Sequence, residues 1–376
     1  MRNYFKFPVS RPAFGRIEHS YLNAALTSGQ ITQGPMVQIL EEMLQKRFGR
    51  GQDAVVCSSG TAALHLALAA AGIGPGDEVL VPDMTYIATA NAVTYMGATP
   101  VLVDIRKDSW TLDPEDCVRK LSNKTAAIIP VHLYGIPCNM AEIRAIADQC
   151  DLHVIEDAAE AFESTLGAGK NKCGTLGDYG CFSFYGNKLI TTGEGGCVVT
   201  SDPEVSNKLR MLRGQGQSFD RKFYHPLIGF NYRMTDLQAA IGVAQMSRLD
   251  EFISERSKIF AAYDAALDGE VVRQVREGQY FRSPWLYTVL LPNRQLRDCA
   301  REVLEQLGIE TRSTFIPLHR QPPYKRPDVQ FPISSKIGDT GISLPTYVGL
   351  SEENAAFIAE TLISCLDLKQ VSQQRS

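Results

Sequence analysis

A lysine at 188, an aspartate at 157, a Ser-Ser-Gly-Thr run at 58–61 and a tyrosine at 86 are the residues of this chain best placed to do chemistry together. Lys188 follows the run Phe-Ser-Phe-Tyr-Gly-Asn and precedes a glycine-rich stretch at 193–196 whose only charge is Glu194. The apolar run predicts a short strand over 181–185, a turn through Gly186 and Asn187, a glycine-rich hairpin over 193–196 and a second strand over 197–200. A lysine on a tight turn is ordinarily a solvated surface charge. At the mouth of a strand, with glycines beside it, its amine can instead react as a neutral nucleophile with a carbonyl. Asp157 ends the run His-Val-Ile-Glu-Asp and either caps the next helix or holds a proton on a ring nitrogen across a site. The turn at 58–61 opens a helix, where free backbone N–H groups, small hydroxyls and the positive helix end suit a phosphate; as a plain N-cap it needs no ligand. Tyr86 supplies a flat side chain. An aldehyde-holding lysine, an acid for a ring nitrogen, a phosphate cradle and a ring cover are what an electron-sink cofactor requires.

Positioning these groups falls to alternating elements. Helical spacing covers 15–28 and 35–48, and a strand over 54–57 leads through the Ser-Ser-Gly-Thr turn into a helix over 62–71. Strands are expected at 78–81, 100–103, 126–131 and 153–155, with helices at 85–95, 114–121 and 140–149 between them. Such alternation predicts a mainly parallel sheet with helices on both faces and ligands at the carboxyl ends of the strands. Residues 212–234 read as a long loop, 235–263 as one long helix, and the last third as an α+β lobe with strands at 285–291 and 309–312 and helices at 295–307 and 353–366. The polar tail from 369 is expected to fray. No internal repeat or low-complexity tract is present in the sequence.

Composition bounds the function classes. With 376 residues, 44% hydrophobic and 21% charged, the chain can build one large core and one smaller one. A net charge of −4 gives no reason to expect nucleic acid or an anionic membrane as partner. Nine cysteines without a C-x-x-C pair read as reduced buried thiols, neither a disulfide framework nor a metal site. The N-terminal residues lack the apolar core of a signal peptide and no run reaches a membrane span, so a soluble, cytoplasmic protein is expected.

Five blocks then become recognisable: Ser59-Gly60-Thr61-Ala-Ala-Leu, residues 82–91, Glu156-Asp157-Ala-Ala-Glu160-Ala, residues 182–188, and Gly229-Phe-Asn231-Tyr-Arg-Met. Together they resemble the DegT/DnrJ/EryC1/StrS family of sugar aminotransferases, over nearly the whole chain. The resemblance implies an aspartate-aminotransferase-like α/β fold (fold type I), with a large domain over 1–250 that includes the N-terminal segment and a small α+β domain over 251–376. It implies pyridoxal 5′-phosphate (PLP), cycling through its amine form (PMP). Lys188 would join the cofactor aldehyde and then shuttle the proton, and Asp157 would pair with the pyridine nitrogen. Glu160, where relatives frequently carry Gln, would lie near the phenolic oxygen. Tyr86 would stack on the ring, while Gly60, Thr61 and Ser183 bind the phosphate. Asn231 would reach the phosphate of a neighbouring subunit, which implies a homodimer with shared sites.

The expected reaction is amino transfer from an amino acid, glutamate, to a keto carbon of a nucleotide-linked deoxysugar, C4 of GDP-4-keto-6-deoxymannose. The alternatives are C3- or C4-amination of a dTDP- or UDP-linked sugar. A lysine at 188 argues against the family's dehydratases, which carry histidine there. Arg213, His225, Arg312 and His319 are candidate substrate contacts, each equally readable as a structural or surface residue. Of other classes, a non-catalytic regulator needs none of the lysine, aspartate and cradle, and a cysteine desulfurase needs a mobile reactive cysteine, which Cys181 and Cys197 in apolar runs do not offer.

Overall fold

A computed structural model describes the backbone of residues 5–169 and 171–373 and the side chains to 366. The continuous apolar runs do pair into one sheet of seven strands. Its order is Asp53–Cys57, Gly196–Thr200, Tyr179–Ser183, His153–Asp157, Thr125–Ile128, Glu78–Pro82 and Thr99–Val103. Neighbouring strands run parallel from Tyr179–Ser183 to Thr99–Val103, and Gly196–Thr200 alone runs antiparallel to both of its neighbours. These strands are almost fully buried because helices cover both faces.

Two close backbone approaches depend on glycine in the strands that flank Lys188, Tyr179–Ser183 before it and Gly196–Thr200 after it. A Cβ on Gly180 would lie 1.9 Å from the carbonyl oxygen of Gly174, and one on Gly196 2.6 Å from that of Phe182. Each would force the backbone apart.

A second, four-stranded sheet orders Val272–Arg273, Tyr287–Leu290, Gly341–Leu344 and Arg312–Ser313, all antiparallel. Helices Leu249–Ala266, Arg294–Gln306 and Glu352–Gln373 enclose its core, which also takes in Phe7 from the N-terminal segment. Met84, Trp110, Tyr134, Trp285 and Ile337 form a cluster in which residues of the two lobes pack on one another.

Several boundaries differ from expectation for identifiable reasons. The stretch 235–263 forms two helices, Asp236–Ser247 and Leu249–Ala266, with Arg248 out of helical geometry at φ −111°. The Arg248 guanidinium is held 3.0 Å from the buried carboxylate of Glu18, a partner 230 residues away. Helix 85–95 begins only at Ala88, leaving Asp83–Ile87 as a loop at the carboxyl end of its strand. Helices Pro203–Arg213 and Pro332–Thr340 were not foreseen. The backbone of the tail from Lys369 continues the last helix to Gln373, and the remainder of that expectation lies outside the described residues.

Candidate active site

At the carboxyl ends of the parallel strands lies a cavity of about 550 Å³ lined by residues of both lobes. Gly60, Thr61, Tyr86, Asp157, Glu160, Ser183, Lys188 and Arg312 all line it, so eight residues proposed from sequence meet at one place.

The helix Gly60–Ala70 starts at its floor. The Ser59 hydroxyl accepts from the Ala62 N–H at 3.1 Å, and among the described residues the N–H groups of Gly60 and Thr61 have no protein acceptor. A Cβ on Gly60 would lie 2.8 Å from the Ser183 Cβ, so a hydrogen at position 60 keeps the helix start and the Ser183 side chain side by side. Two uncommitted N–H groups, two hydroxyls and a helix N-terminus form a cradle that fits a phosphate dianion.

Asp157 lies at the end of its strand, buried. The Thr89 hydroxyl donates to Oδ2 at 2.8 Å and the Ala159 N–H donates to Oδ1 at 3.2 Å. Burial pushes the carboxyl up from its ordinary value, while these two donors and the positive charge of Lys188 oppose that rise. A protonated ring nitrogen facing this carboxylate would favour the anion further.

Lys188 follows directly on Asn187, and its side chain is 14% exposed. Burial pulls its amine below the ordinary value, with Arg312 adding to the effect and Glu160 and Asp157 opposing it. The amine sits 3.9 Å above the centroid of Trp285 and 3.9 Å from Glu160 Oε1. Trp285, from the other lobe, donates its indole N–H to the Asn187 carbonyl at 2.8 Å and so pins the lysine turn. Tyr86 is 59% exposed on the cavity wall, its ring 5.8 Å from that of Phe315. The buried Oδ1 of Asn187 has no donor among the described residues, another polar atom suited to a ligand.

Two of the four candidate substrate contacts are committed to the fold instead. Arg213 is buried, donating to Glu41 Oε1 at 2.7 Å and to the Val56 carbonyl at 2.6 Å. His319 is enclosed, with Nδ1 2.6 Å from Asp83 and Nε2 3.0 Å from Asp328. Neither lines the cavity, because buried carboxylates hold both. His225 is exposed on the 214–234 loop, bonded to the Gln215 carbonyl at 3.0 Å, and also lies off the cavity lining. Arg312 does line it. Asn231 is exposed and does not line this chain's own cavity. Cys181 and Cys197 are buried and burial pushes both thiols well up, the reverse of what a reactive persulfide carrier needs.

Three participants were missed. Thr89 lies in the first turn of helix Ala88–Tyr95, its hydroxyl 3.0 Å from that of Thr85 in the loop before it. In the sequence Trp285 marks only the start of a strand. Tyr134 lies in the short helical turn Leu133–Gly135, and its backbone N–H, at φ +52°, donates to Glu160 Oε2 at 2.7 Å.

The sequence profile of the DegT/DnrJ/EryC1/StrS aminotransferase family matches residues 13–363. The chain belongs to this family. It is a PLP-dependent aminotransferase of fold type I. Among relatives of this aminotransferase, a GDP-perosamine synthase of Escherichia coli O157:H7 is 42% identical over 357 residues, 94% of this chain and 97% of that one. A GDP-perosamine synthase of Caulobacter vibrioides is 45% identical over 327 residues, 84% of this chain and 85% of that one. The solved structure of S. venezuelae DesV in complex with a ketimine intermediate superposes on the aminotransferase with a TM-score of 0.87 at 34% identity, covering 92% and 93% of the two chains. No helix among the described residues is long and apolar enough to cross a membrane.

Proposed function

We propose that this aminotransferase moves an amino group from an amino acid, L-glutamate, to C4 of GDP-4-keto-6-deoxy-D-mannose, giving GDP-perosamine. The observation that carries the chemistry is the meeting of Lys188, Asp157 and the Gly60–Thr61 helix start in one cavity. The choice of sugar rests on likeness to the two perosamine synthases across most of both chains.

In this reading Gly60 and Thr61 N–H groups with the Thr61 and Ser183 hydroxyls hold the cofactor phosphate, and Tyr86 covers the ring. PLP, when bound, supplies the electron sink that lets an amino group leave one carbon and arrive at another. Asp157, kept anionic by Thr89 and the Ala159 N–H, holds a proton on the ring nitrogen. Lys188 Nζ, made less basic by burial, carries the proton to and from the substrate carbon. Arg312 at the rim offers a guanidinium to an anionic substrate group.

The 214–234 loop supports a homodimer in the same reading. Phe219, Phe223, Leu227 and Ile228 project apolar surface from it, Ile228 at 94% exposure, a burden a monomer would not carry on one loop. Asn231, on the same loop, then reaches the phosphate held by a second copy. Nine cysteines without a disulfide fit a cytoplasmic setting.

The test is a panel of keto sugars on GDP, dTDP and UDP, each given with glutamate and read by mass spectrometry for amine formation. Preferential amination of the GDP-4-keto sugar is expected, and preference for a dTDP- or UDP-linked sugar would replace the assignment. Borohydride reduction should place a pyridoxyl label on Lys188, and its absence there would overturn the site.

A further inference from the structure

Two carboxylates face Lys188, and the chain treats them differently. Each oxygen of Asp157 has a donor, the Thr89 hydroxyl for one and the Ala159 N–H for the other. Glu160 has one. Its Oε2 takes the Tyr134 N–H at 2.7 Å, whereas Oε1 has no hydrogen-bond donor among the described residues and lies 3.9 Å from Lys188 Nζ. Both side chains are withdrawn from water, Glu160 to 6% and Lys188 to 14% exposure. A carboxylate with both oxygens bonded can remain charged in such a place, but one with a bare oxygen is the better seat for a proton. The bare oxygen points at the amine that must be neutral to react.

From this geometry we propose that Glu160 is the proton store of Lys188: the pair carries one mobile proton, which resides on Glu160 whenever Lys188 has to be a free amine. In the transfer one N–H bond of the Lys188 ammonium breaks, its electron pair stays on nitrogen, and an O–H bond forms at Glu160 Oε1. The reverse step returns the proton, so the pair conserves its single proton. A side-chain torsion or one bridging water closes the 3.9 Å gap. Burial raises the Glu160 carboxyl to about 7 against the pull of Lys188 and the Tyr134 N–H, while burial lowers the lysine, so the two approach one another. The other charged groups at the pair are Asp157, with both oxygens satisfied, and Arg312, which disfavours a charged lysine. The Tyr134 phenol is fully buried and pushed upward, and stays neutral. Glu160 acts through Lys188 and is thus a positioning residue for the proton.

The inference rests on Lys188 being the reactive lysine, and its test reads the pair without the cofactor. In protein stripped of PLP, acylation of Lys188 by trinitrobenzenesulfonate is followed against pH, with the labelled peptide quantified by mass spectrometry. In Glu160→Gln the anion that favours the ammonium is gone, so the inflection for Lys188 is expected about one pH unit or more lower than in the parent protein. An inflection moved by less than about 0.3 pH units would overturn the proposal, because a Glu160 that only accepts the Tyr134 N–H would leave the lysine's titration in place. The second arm avoids reliance on one variant. The infrared carbonyl band of a protonated carboxyl, absent in Glu160→Gln, should persist to higher pH in Lys188→Met, and an unchanged band position in pH would refute the coupling. Borohydride labelling of Lys188 in Glu160→Gln with PLP restored separates the two claims: label present with no titration shift sinks only the proton store, and label absent in the parent protein sinks the site.

Discussion

Thr89→Val isolates the support of Asp157 with almost no change of shape. The hydroxyl donates to Asp157 Oδ2 at 2.8 Å inside the protein, and the other oxygen keeps only the longer 3.2 Å bond from Ala159. A hydrogen bond to a charged group contributes about 1.5–3 kcal/mol. Dividing by about 1.4 kcal/mol for each pH unit, loss of the donor should raise the Asp157 carboxyl by about 1–2 pH units. Burial already pushes this group up, and loss of the donor adds to that rise. In the proposed reading an ionised Asp157 keeps the ring nitrogen protonated. The prediction is that the acid limb of kcat for the glutamate half-reaction, followed by the PLP-to-PMP spectral change in stopped flow, moves up by about 1–2 pH units in Thr89→Val. Below the displaced limb the rate should fall about tenfold for each pH unit. An acid limb within about 0.3 pH units of the parent's, in a variant whose circular dichroism is unaltered, would refute the role given to Thr89.

Other perturbations have signs fixed by the structure. Gly60→Ala sets a methyl 2.8 Å from the Ser183 Cβ, and an overpacking cost of about 1–3 kcal/mol should weaken PLP binding by roughly tenfold or more in a fluorescence titration. Unchanged affinity would show that the cradle lies elsewhere. At His319 burial disfavours the charged ring, but the carboxylates of Asp83 and Asp328 outweigh it and hold the imidazole above its ordinary value. A raised folded value means that the stabilisation is fully present below the unfolded value of about 6.5 and is lost as pH rises through the folded one. The Tm gap between the parent and Asp83→Asn should therefore narrow from pH 6 to pH 9, and a gap that does not narrow would contradict the charged pairing. Arg256 is buried, its Nε and Nη1 without a partner among the described residues, and burial pulls its guanidinium down to about 10. Arg256→Met should raise Tm by roughly 1–4 °C in scanning calorimetry, and a fall of that size would imply an anionic partner for the guanidinium.

Much of the large sheet was legible because its strands are covered on both faces and therefore read as continuous apolar runs between turns. The direction of Gly196–Thr200 against Tyr179–Ser183 was legible too, because the glycine-rich hairpin at 193–196 turns the chain back on the strand before it. The break at Arg248 depends on Glu18, and no local window contains both. Most residues that meet in the cavity were readable because they lie at strand ends, at a helix start or on the turns beside them, each with its own local signature. Arg213 and His319 misled for the opposite reason: a buried cation and a ligand-binding cation look alike until the carboxylates that face them are placed. Trp285 acts through the face of its ring and one N–H, which no spacing announces.

The bond from the Trp285 indole to the Asn187 carbonyl has a consequence during synthesis. Lys188 leaves the ribosome almost a hundred residues before the tryptophan that braces it, so a nascent chain carries its future reactive amine on an unbraced turn. In the proposed reading, the pocket around that amine is complete only after the second lobe has been made.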